Sequence, residues 1–425
     1  MNIKDCRIGV IGLGYVGMPL AVRLSKYMPT VGFDISEARV NELREGWDRN
    51  REIRQSDLRG TTCRFSFDTS DLKDCNVLIV TVPTPLDENN DPDLGPVRAA
   101  TKMLAAQLKK GDIVVYESTV YPGVTEDICG TLLEKESGLK CGKDFFLGYS
   151  PERINPGDAE HTLEHITKVV SGQTDEVTDL LAEIYGLVNN NNIFKARDIR
   201  TAEASKAIEN AQRDINVAFI NEVTMILNKL GLSSYDVIEA AQTKWNFLPF
   251  TPGLVGGHCI GVDPYYLAHC ATEIGHEPKV ILSGRQINDS MGQFVADALA
   301  SSVEGVENPR ILLLGFTFKE NINDIRNTKV IDICNALKAK GISVDIHDPH
   351  AIPDEVKHEY GIEILAKLPS SENYDCIALT VGHKIYKDLN ANQIAALIKD
   401  EGVLYDLKGI WRKQNLDGNF HYKTL

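Results

Sequence analysis

The chain carries no excess of basic residues, no long apolar run, no paired cysteines and no low-complexity tract. Each absence removes a class of protein. The 60 Asp and Glu against 45 Lys and Arg leave a formal net charge of −15 over 425 residues. A nucleic-acid partner would want a basic face, so none is expected, although a few local lysines and arginines suffice for a small anionic substrate. No apolar stretch approaches the roughly 18 residues of a membrane span, so no membrane partner is expected. The nine cysteines are odd in number and none falls in a Cys-x-x-Cys pair. That argues against a disulfide framework and against a structural zinc site. His258, His269 and His276 are not spaced as ligands either, and no metal is expected. Residues 1–5 run directly into a strand pattern, leaving no room for a signal peptide, and a reducing cytoplasm is the simplest compartment. Most of the cysteines are then expected to be small, inert core residues.

What is present is the composition of a globular protein, 43% hydrophobic and 25% charged, too long for one ordinary core. Residues 7–12, 30–34, 77–82, 113–117 and 145–149 are short apolar runs separated by helical patterns, which predicts a doubly wound α/β domain ending near residue 200. Residues 201–230 and 275–303 lack strand signals and read as helical. Within 203–230, Ala204, Ala207, Ile208, Ala211, Ile215, Ala218 and Phe219 follow the helical period and predict a broad buried face. A helix of nearly 30 residues would be about 42 Å long, the kind of element that spans domains or packs against a second subunit. From Pro309 the opening pattern returns: an apolar run at 310–315, a helical run at 328–340, and a strand at 343–348 ending in Asp348. The expected architecture is α/β, with two Rossmann-like doubly wound domains (1–200 and 305–425) joined by a helical central domain (201–304). The second copy lacks the full glycine fingerprint.

That fingerprint is Gly12-Leu13-Gly14-Tyr15-Val16-Gly17, which reads G-x-G-x-x-G between a strand and a helix, with Asp34 about 20 residues further on. Gly12 permits the tight turn, Gly14 lets a pyrophosphate approach the backbone, and Gly17 lets helix and strand pack closely. The phosphates would sit on the helix N-terminus and Asp34 would accept from the adenosine ribose hydroxyls. Asp34 would repel a 2′-phosphate, which favours NAD over NADP, while Arg39 nearby pulls the other way.

Cys259 stands in Val255-Gly256-Gly257-His258-Cys259-Ile260-Gly261-Val262-Asp263-Pro264. A nicotinamide enzyme needs no cysteine to oxidise an alcohol once. A thiolate becomes useful when the aldehyde product must be oxidised again, because it adds to the carbonyl and the adduct can surrender a second hydride, leaving a thioester. Cys259 is therefore either the nucleophile of a four-electron dehydrogenase or a buried structural cysteine. A turn or helix start after the glycines would bring amide N–H groups towards the sulfur and favour the thiolate. Lys206, Asn210 and Asp214 share one line on the predicted long helix. They are a solvated stripe or, among so many small apolar neighbours, a functional one. Tyr149-Ser150-Pro151-Glu152-Arg153-Ile154-Asn155-Pro156-Gly157 follows a strand end, where α/β domains place ligands, or is plain loop punctuation. Phe316-Thr317-Phe318-Lys319-Glu320 and Asp324-Ile325-Arg326 hold an anionic ligand or form a solvated loop.

Together these blocks, with Thr81-Val82-Pro83-Thr84-Pro85 and Glu117-Ser118-Thr119-Val120-Tyr121-Pro122-Gly123, resemble the UDP-glucose/UDP-N-acetylhexosamine 6-dehydrogenase family over essentially the whole chain. The resemblance implies that Cys259 is the nucleophile, forming a thiohemiacetal and a thioester. It implies that Lys206 and Asn210 stabilise the oxyanion on carbon 6, and that Asp263, Thr119 and Glu152 position or activate water, Glu152 assisting thioester hydrolysis. NAD would lie on Gly12, Gly14, Tyr15, Val16, Gly17, Asp34, Arg39, Pro83, Thr84, Thr119 and Arg326. The UDP-sugar would meet Glu152, Arg153, Ile154, Lys206, Asn210, Phe250, Gly256 and Lys319, with its UDP moiety on the C-terminal domain, and a homodimer would form through the long helix. The UDP-glucose branch typically reads Gly-Gly-Ser-Cys-Phe-Pro-Lys-Asp. The version at Gly256 to Asp263, with Lys244-Trp245-Asn246-Phe247-Leu248-Pro249-Phe250, looks like the UDP-GlcNAc/UDP-GalNAc 6-dehydrogenases of capsule and O-antigen biosynthesis. Members often carry arginine before the following Pro-Gly, where this chain has Thr251. The alternatives are a UDP-glucose or UDP-ManNAc 6-dehydrogenase and, in another class, a non-catalytic nucleotide-sugar sensor.

Overall fold

The computed structural model describes residues 1–50, 52–154, 162–257, 260–370, 374–416 and 418–425. These divide into two compact units, Met1–Glu209 with Tyr265–Glu277, and Asn210–Pro264 with Pro278–Leu425. No helix among the described residues is long and apolar enough to cross a membrane.

The first unit holds an eight-stranded sheet: β1 (Ile8–Ile11), β2 (Thr30–Phe33), β3 (Arg64–Ser66), β4 (Val77–Val80), β5 (Ile113–Tyr116), β6 (Phe146–Tyr149), β7 (Lys168–Gly172) and β8 (Ile193–Lys195). Their order is β3-β2-β1-β4-β5-β6-β7-β8. The first six strands are parallel and in the order of a Rossmann sheet. β7 runs antiparallel to β6, pairing Tyr149 with Ser171 and Gly148 with Gly172. Strands β1, β4 and β5 are buried at every position, because helices cover both faces.

The second unit holds β9 (Arg310–Leu314), β10 (Ser343–His347), β11 (Tyr374–Leu379), β12 (Ile398–Asp406) and β13 (Phe420–Thr424), all parallel in the order β10-β9-β11-β12-β13. This is the other common doubly wound order. Alternation along β9 shows both faces at work. Ile311 and Leu313 join one core with Met291, Val295 and Leu299 of the helix Lys279–Ser302, while Leu312 and Leu314 join another with Tyr386 and Trp411. The predicted fold class, two Rossmann-like sheets with helices between them in sequence, is the one found. The sequence patterns missed the short β3, β7 and β8 and did not single out β11, β12 or β13.

Both first strands end in the same construction. Gly12 turns at φ 96° and Gly315 at φ 106°. After β4, Thr81 Oγ1 donates to the Gly12 carbonyl at 2.7 Å; after β11, Thr380 Oγ1 donates to the Gly315 carbonyl at 2.6 Å. Asp34, after β2, accepts from Leu13 N–H at 2.8 Å. Asp348, after β10, accepts from Phe316 N–H at 2.6 Å. The repeat legible at residues 7–12 and 310–315 is therefore a repeat of hydrogen bonds. In the first copy a Cβ on Gly17 would collide with the Gly12 carbonyl oxygen and Thr81 Oγ1, whereas one on Gly14 would face open space.

Gly17→Ala is accordingly expected to lower the melting temperature, overpacking costing about 1–3 kcal/mol, and to weaken NADH binding at least about tenfold, roughly 1.4 kcal/mol. Wild-type affinity in a fluorescence titration would contradict the packing argument.

Candidate active site

In the first unit the glycine loop lies at the point where strand order reverses between β1 and β4, the crevice in which doubly wound sheets bind nucleotides. Gly14 is exposed, Tyr15 and Val16 are half-buried, and Pro83 and Thr84 follow β4. Gly14, where an added Cβ would meet nothing within 4 Å, leaves the loop backbone open to a bound pyrophosphate. Asp34 braces the loop through Leu13 N–H while its other oxygen accepts from Ser36 N–H at 2.9 Å. Arg39 is buried. Its Nε donates to the Leu13 carbonyl at 2.9 Å and its guanidinium pairs with Asp48 at 2.7 Å. This arginine supports the glycine loop from within the fold.

The same unit gathers a set of charges beyond β5 and β6. Glu152 follows β6, and its Oε1 accepts from Arg153 N–H at 2.7 Å and Ile154 N–H at 2.6 Å. Lys168 Nζ lies 3.4 Å from Glu152 Oε2 and 2.7 Å from Glu117 Oε2. Burial pushes the Glu152 carboxyl up, but the Lys168 ammonium, the Ile154 amide, the Lys206 ammonium and the Arg153 amide together hold it below the usual carboxylate range. Glu152 is thus ionised at neutral pH and able to accept a proton. Arg153 is paired with Glu209 at 2.7 Å. Thr119 is half-buried, two residues beyond Glu117.

The long helix Ile199–Lys229 carries Glu203, Lys206, Asn210 and Asp214, all buried. The solvated reading of this stripe is therefore excluded. Glu203 accepts from Gly123 N–H at 2.6 Å and Thr125 N–H at 2.9 Å, capping the π-helical segment Val124–Gly130. In the second unit Asn210 Nδ2 donates to Asp263 Oδ2, and Asp263 opens the helix Asp263–Glu273. Asp214 takes a different part: it accepts from Arg285 at 2.6 Å and from Asn288 at 2.7 Å, an ion pair inside the helical region. The expected broad apolar face is also narrower than its pattern. Ala207, Ala211 and Ala218 are buried, but Ile208 and Phe219 are 54% and 58% exposed.

Cys259 and His258 lie outside the described residues, as do Asn155, Pro156 and Gly157. The glycines before Cys259 are described. Gly257 turns at φ 84°, and a Cβ there would come within 2.7 Å of the Phe318 ring, while one on Gly256 would come within 2.7 Å of the Asn327 carbonyl oxygen. The loop thus lies directly against the segment that carries Lys319. Lys319 is half-buried, with its carbonyl accepting from Thr317 Oγ1 at 2.9 Å. Phe250 is half-buried and Arg326 is forked onto Asp324, with contacts of 2.6 and 2.9 Å. Burial pushes up every other cysteine: Cys6, Cys75 and Cys129 to about 11, Cys63 and Cys376 to about 12, and Cys141, Cys270 and Cys334 upward.

Sequence reasoning missed Glu117 and Lys168 as partners of Glu152, Glu203 as a cap, and His383. His383 is fully buried and accepts from Asn321 N–H at Nδ1 (2.9 Å), with Nε2 placed 2.9 Å from Asp348. The one available signal was a lysine opening the apolar run Lys168-Val169-Val170.

Comparison with known proteins accounts for this arrangement. Residues 6–189 match the NAD binding domain, residues 200–290 the central domain and residues 312–413 the UDP binding domain of the UDP-glucose/GDP-mannose dehydrogenase family. Similar sequences include the UDP-N-acetyl-D-glucosamine 6-dehydrogenases of Pseudomonas aeruginosa (51% identical, covering 96% of this chain and 97% of the other) and Salmonella typhi (46%, covering 98% and 99%). Among solved structures, the UDP-D-ManNAc dehydrogenase from Pyrococcus horikoshii superposes with a TM-score of 0.86 at 28% identity, covering 98% of each chain. The parts are those of an NAD-dependent dehydrogenase of nucleotide sugars. The chain belongs to the UDP-glucose/GDP-mannose dehydrogenase family.

Glu203 gives a pH signature to this machinery. Burial raises its carboxyl from 4.5 to about 7 against the pull of Thr125 and the amides of Gly123 and Thr125. Its contribution to stability is therefore full below about pH 4.5 and lost as pH rises through about 7. Thermal unfolding of Glu203→Gln against wild type is expected to show the variant gaining relative stability from pH 5 to pH 8. Parallel curves across that window would refute the assignment.

Proposed function

We propose that this enzyme oxidises carbon 6 of UDP-N-acetylglucosamine to the uronic acid, consuming two NAD per sugar, for surface polysaccharide synthesis. The observation that carries the reading is the 51% identity, over nearly the whole length, to a UDP-N-acetyl-D-glucosamine 6-dehydrogenase. It is joined by the Gly256-Gly257-His258-Cys259-Ile260-Gly261-Val262-Asp263 signature. NAD, when bound, accepts the hydride removed from carbon 6 at each oxidation.

The residues of the chain do the rest. The Cys259 thiolate adds to carbon 6 of the aldehyde, and the oxyanion so formed is met by the Lys206 ammonium and the Asn210 amide. Loss of the second hydride leaves a thioester. Asp263 and Thr119 position water, which attacks the thioester carbonyl while Glu152 takes its proton. The carbon–sulfur bond then breaks, giving the carboxylate and restoring the thiolate. Asp263 holds Asn210 through the hydrogen bond to its amide, which fixes the direction of the Asn210 donor. The sugar is steadied by Arg153, Ile154, Phe250, Gly256 and Lys319, the UDP moiety by the sheet of β9 to β13, and Arg326 serves the cofactor region. Domain limits of 1–200, 201–304 and 305–425 and a cytoplasmic location complete the reading.

The subunits pair through the long helix. Ile208, Phe219 and Ile226, spaced by about three and then about two turns, are each more than half exposed and form one apolar stripe along it. Phe219→Asp is expected to convert a dimer into monomers in sedimentation velocity; an unchanged sedimentation coefficient would reject this interface.

The catalytic assignment makes a sharper prediction. Cys259→Ala should form no uronate, and Cys259→Ser should stall with a covalent or aldehyde species, by product analysis and intact mass. Full four-electron turnover by both would reject the mechanism. A panel of UDP-GlcNAc, UDP-GalNAc, UDP-ManNAc and UDP-glucose, scored for two NADH per sugar, should favour UDP-GlcNAc by at least about tenfold in kcat/KM; preference for another sugar would reject the substrate.

A further inference from the structure

β6 and β7 are antiparallel, and their register decides what lies beside Glu152. Tyr149 pairs with Ser171 and Gly148 with Gly172. Continued beyond the strand end, with Ser150 Oγ donating to the Val169 carbonyl at 2.8 Å, the same register brings Glu152 opposite Lys168. A parallel β7 would have delivered its first residue to the far edge of the sheet. Lys168 instead stands at the edge where β5 and β6 end, its side chain fully buried.

Among the described residues its ammonium has three partners: Glu117 Oε2 at 2.7 Å, the Pro151 carbonyl at 3.3 Å and Glu152 Oε2 at 3.4 Å. Glu117 is also fully buried, and its other oxygen accepts from Tyr185 OH at 2.5 Å. The ring of that tyrosine lies 5.2 Å from Lys168 Nζ. A buried lysine with one carboxylate would form a closed pair. Here a second carboxylate, Glu152, shares the same cation and is 15% exposed. Two backbone amides occupy Glu152 Oε1, which leaves Oε2, with its longer contact to Lys168, to meet a proton. Among the described residues, the other charges facing Glu152 are Lys206 on the long helix and Arg153, whose guanidinium is paired with Glu209.

We infer that Lys168 is a positioning residue for the water-consuming half of the reaction: clamped between Glu117 and Glu152, it orients the Glu152 carboxylate and sets the pH at which that carboxylate works as a base. The inference rests on the proposed role of Glu152 in thioester hydrolysis. Glu117 is the counterweight. It draws the ammonium towards itself, so that Glu152 is kept ionised without being locked into a tight ion pair, which would make it a poor base. Tyr185 holds Glu117 in that position from the other side.

The two neighbours make opposite predictions, which a purely structural cluster does not. The rate of uronate release from the acyl-enzyme is followed against pH by rapid quench in the full-length enzyme with UDP-GlcNAc and NAD. Lys168→Met removes the cation, and its acid limb is expected to move up by about one pH unit or more. Glu117→Gln leaves the cation to Glu152 alone, and its acid limb is expected to move down while the maximal rate falls about tenfold. Lys168→Arg keeps the charge and is expected to retain the wild-type limb. If Lys168→Met does not fold, the downward movement in Glu117→Gln, whose amide keeps the shape of the carboxyl, carries the test. Glu152→Gln separates the two levels of the argument. Wild-type release by Glu152→Gln overturns the role of Glu152 itself. Slow release by Glu152→Gln, with unmoved limbs in the other variants, overturns the role of Lys168 alone.

Discussion

The constraint on which both sheets depend is the pinning of the first strand's terminal glycine. A strand that ends in a left-handed glycine leaves its last carbonyl and the next amide without sheet partners, and buried backbone groups must be satisfied. In each sheet a threonine from the strand across the order reversal supplies the donor, and an aspartate from the strand on the other side supplies the acceptor. Thr81 and Asp34 do this for Gly12 and Leu13; Thr380 and Asp348 do it for Gly315 and Phe316. The crevice where a nucleotide can bind exists because these three strand ends are tied at one point. The copies then diverge. The first keeps Gly14 open to a ligand. The second has Thr317 at the corresponding place, and Asp348, although buried, is held well below the usual carboxylate range by His383 and the amides of Phe316 and Thr317. That carboxylate is spent on the loop that carries Lys319.

Buried charge is the other constraint on the fold. A helix buried along Glu203, Lys206, Asn210 and Asp214 is costly unless each group is partnered. The partners differ in kind. Asp214 is neutralised by Arg285, a structural solution. Glu203 caps a π-helical segment, a type of local irregularity that often marks functional sites. Asn210 is held by Asp263, and Lys206 bears on Glu152 from a distance. One helical line thus passes from anchoring a π-helical segment to core ion pairing within about three turns.

Much of this was legible in the sequence. The glycine fingerprint, the acid after the second strand, the 3.6-residue period of the long helix and the repeat at residue 310 are local patterns, and local patterns survive without coordinates. The short strands β3, β7 and β8 were not legible, because three to five residues carry too little periodicity to compete with their neighbours. The face of the long helix was read by apolarity alone. That assigned Ile208 and Phe219 to the inside although they are exposed, while the line of Lys206, Asn210 and Asp214 was read without Glu203 and left between a solvated and a functional stripe. Arg39 was legible as a cation near Asp34 but not as a group already committed to Asp48.

By itself, the sequence determined the two doubly wound sheets and the dinucleotide loop, because spacing along a strand or helix dictates which side chains share a face. Only the tertiary structure decided which charges stand together. Glu117, Glu152 and Lys168 come from three strands separated by long connections, and the antiparallel turn of β7 brings them to one edge. No periodicity encodes that direction. It follows from packing the last strands of the sheet, and with it the environment of Glu152.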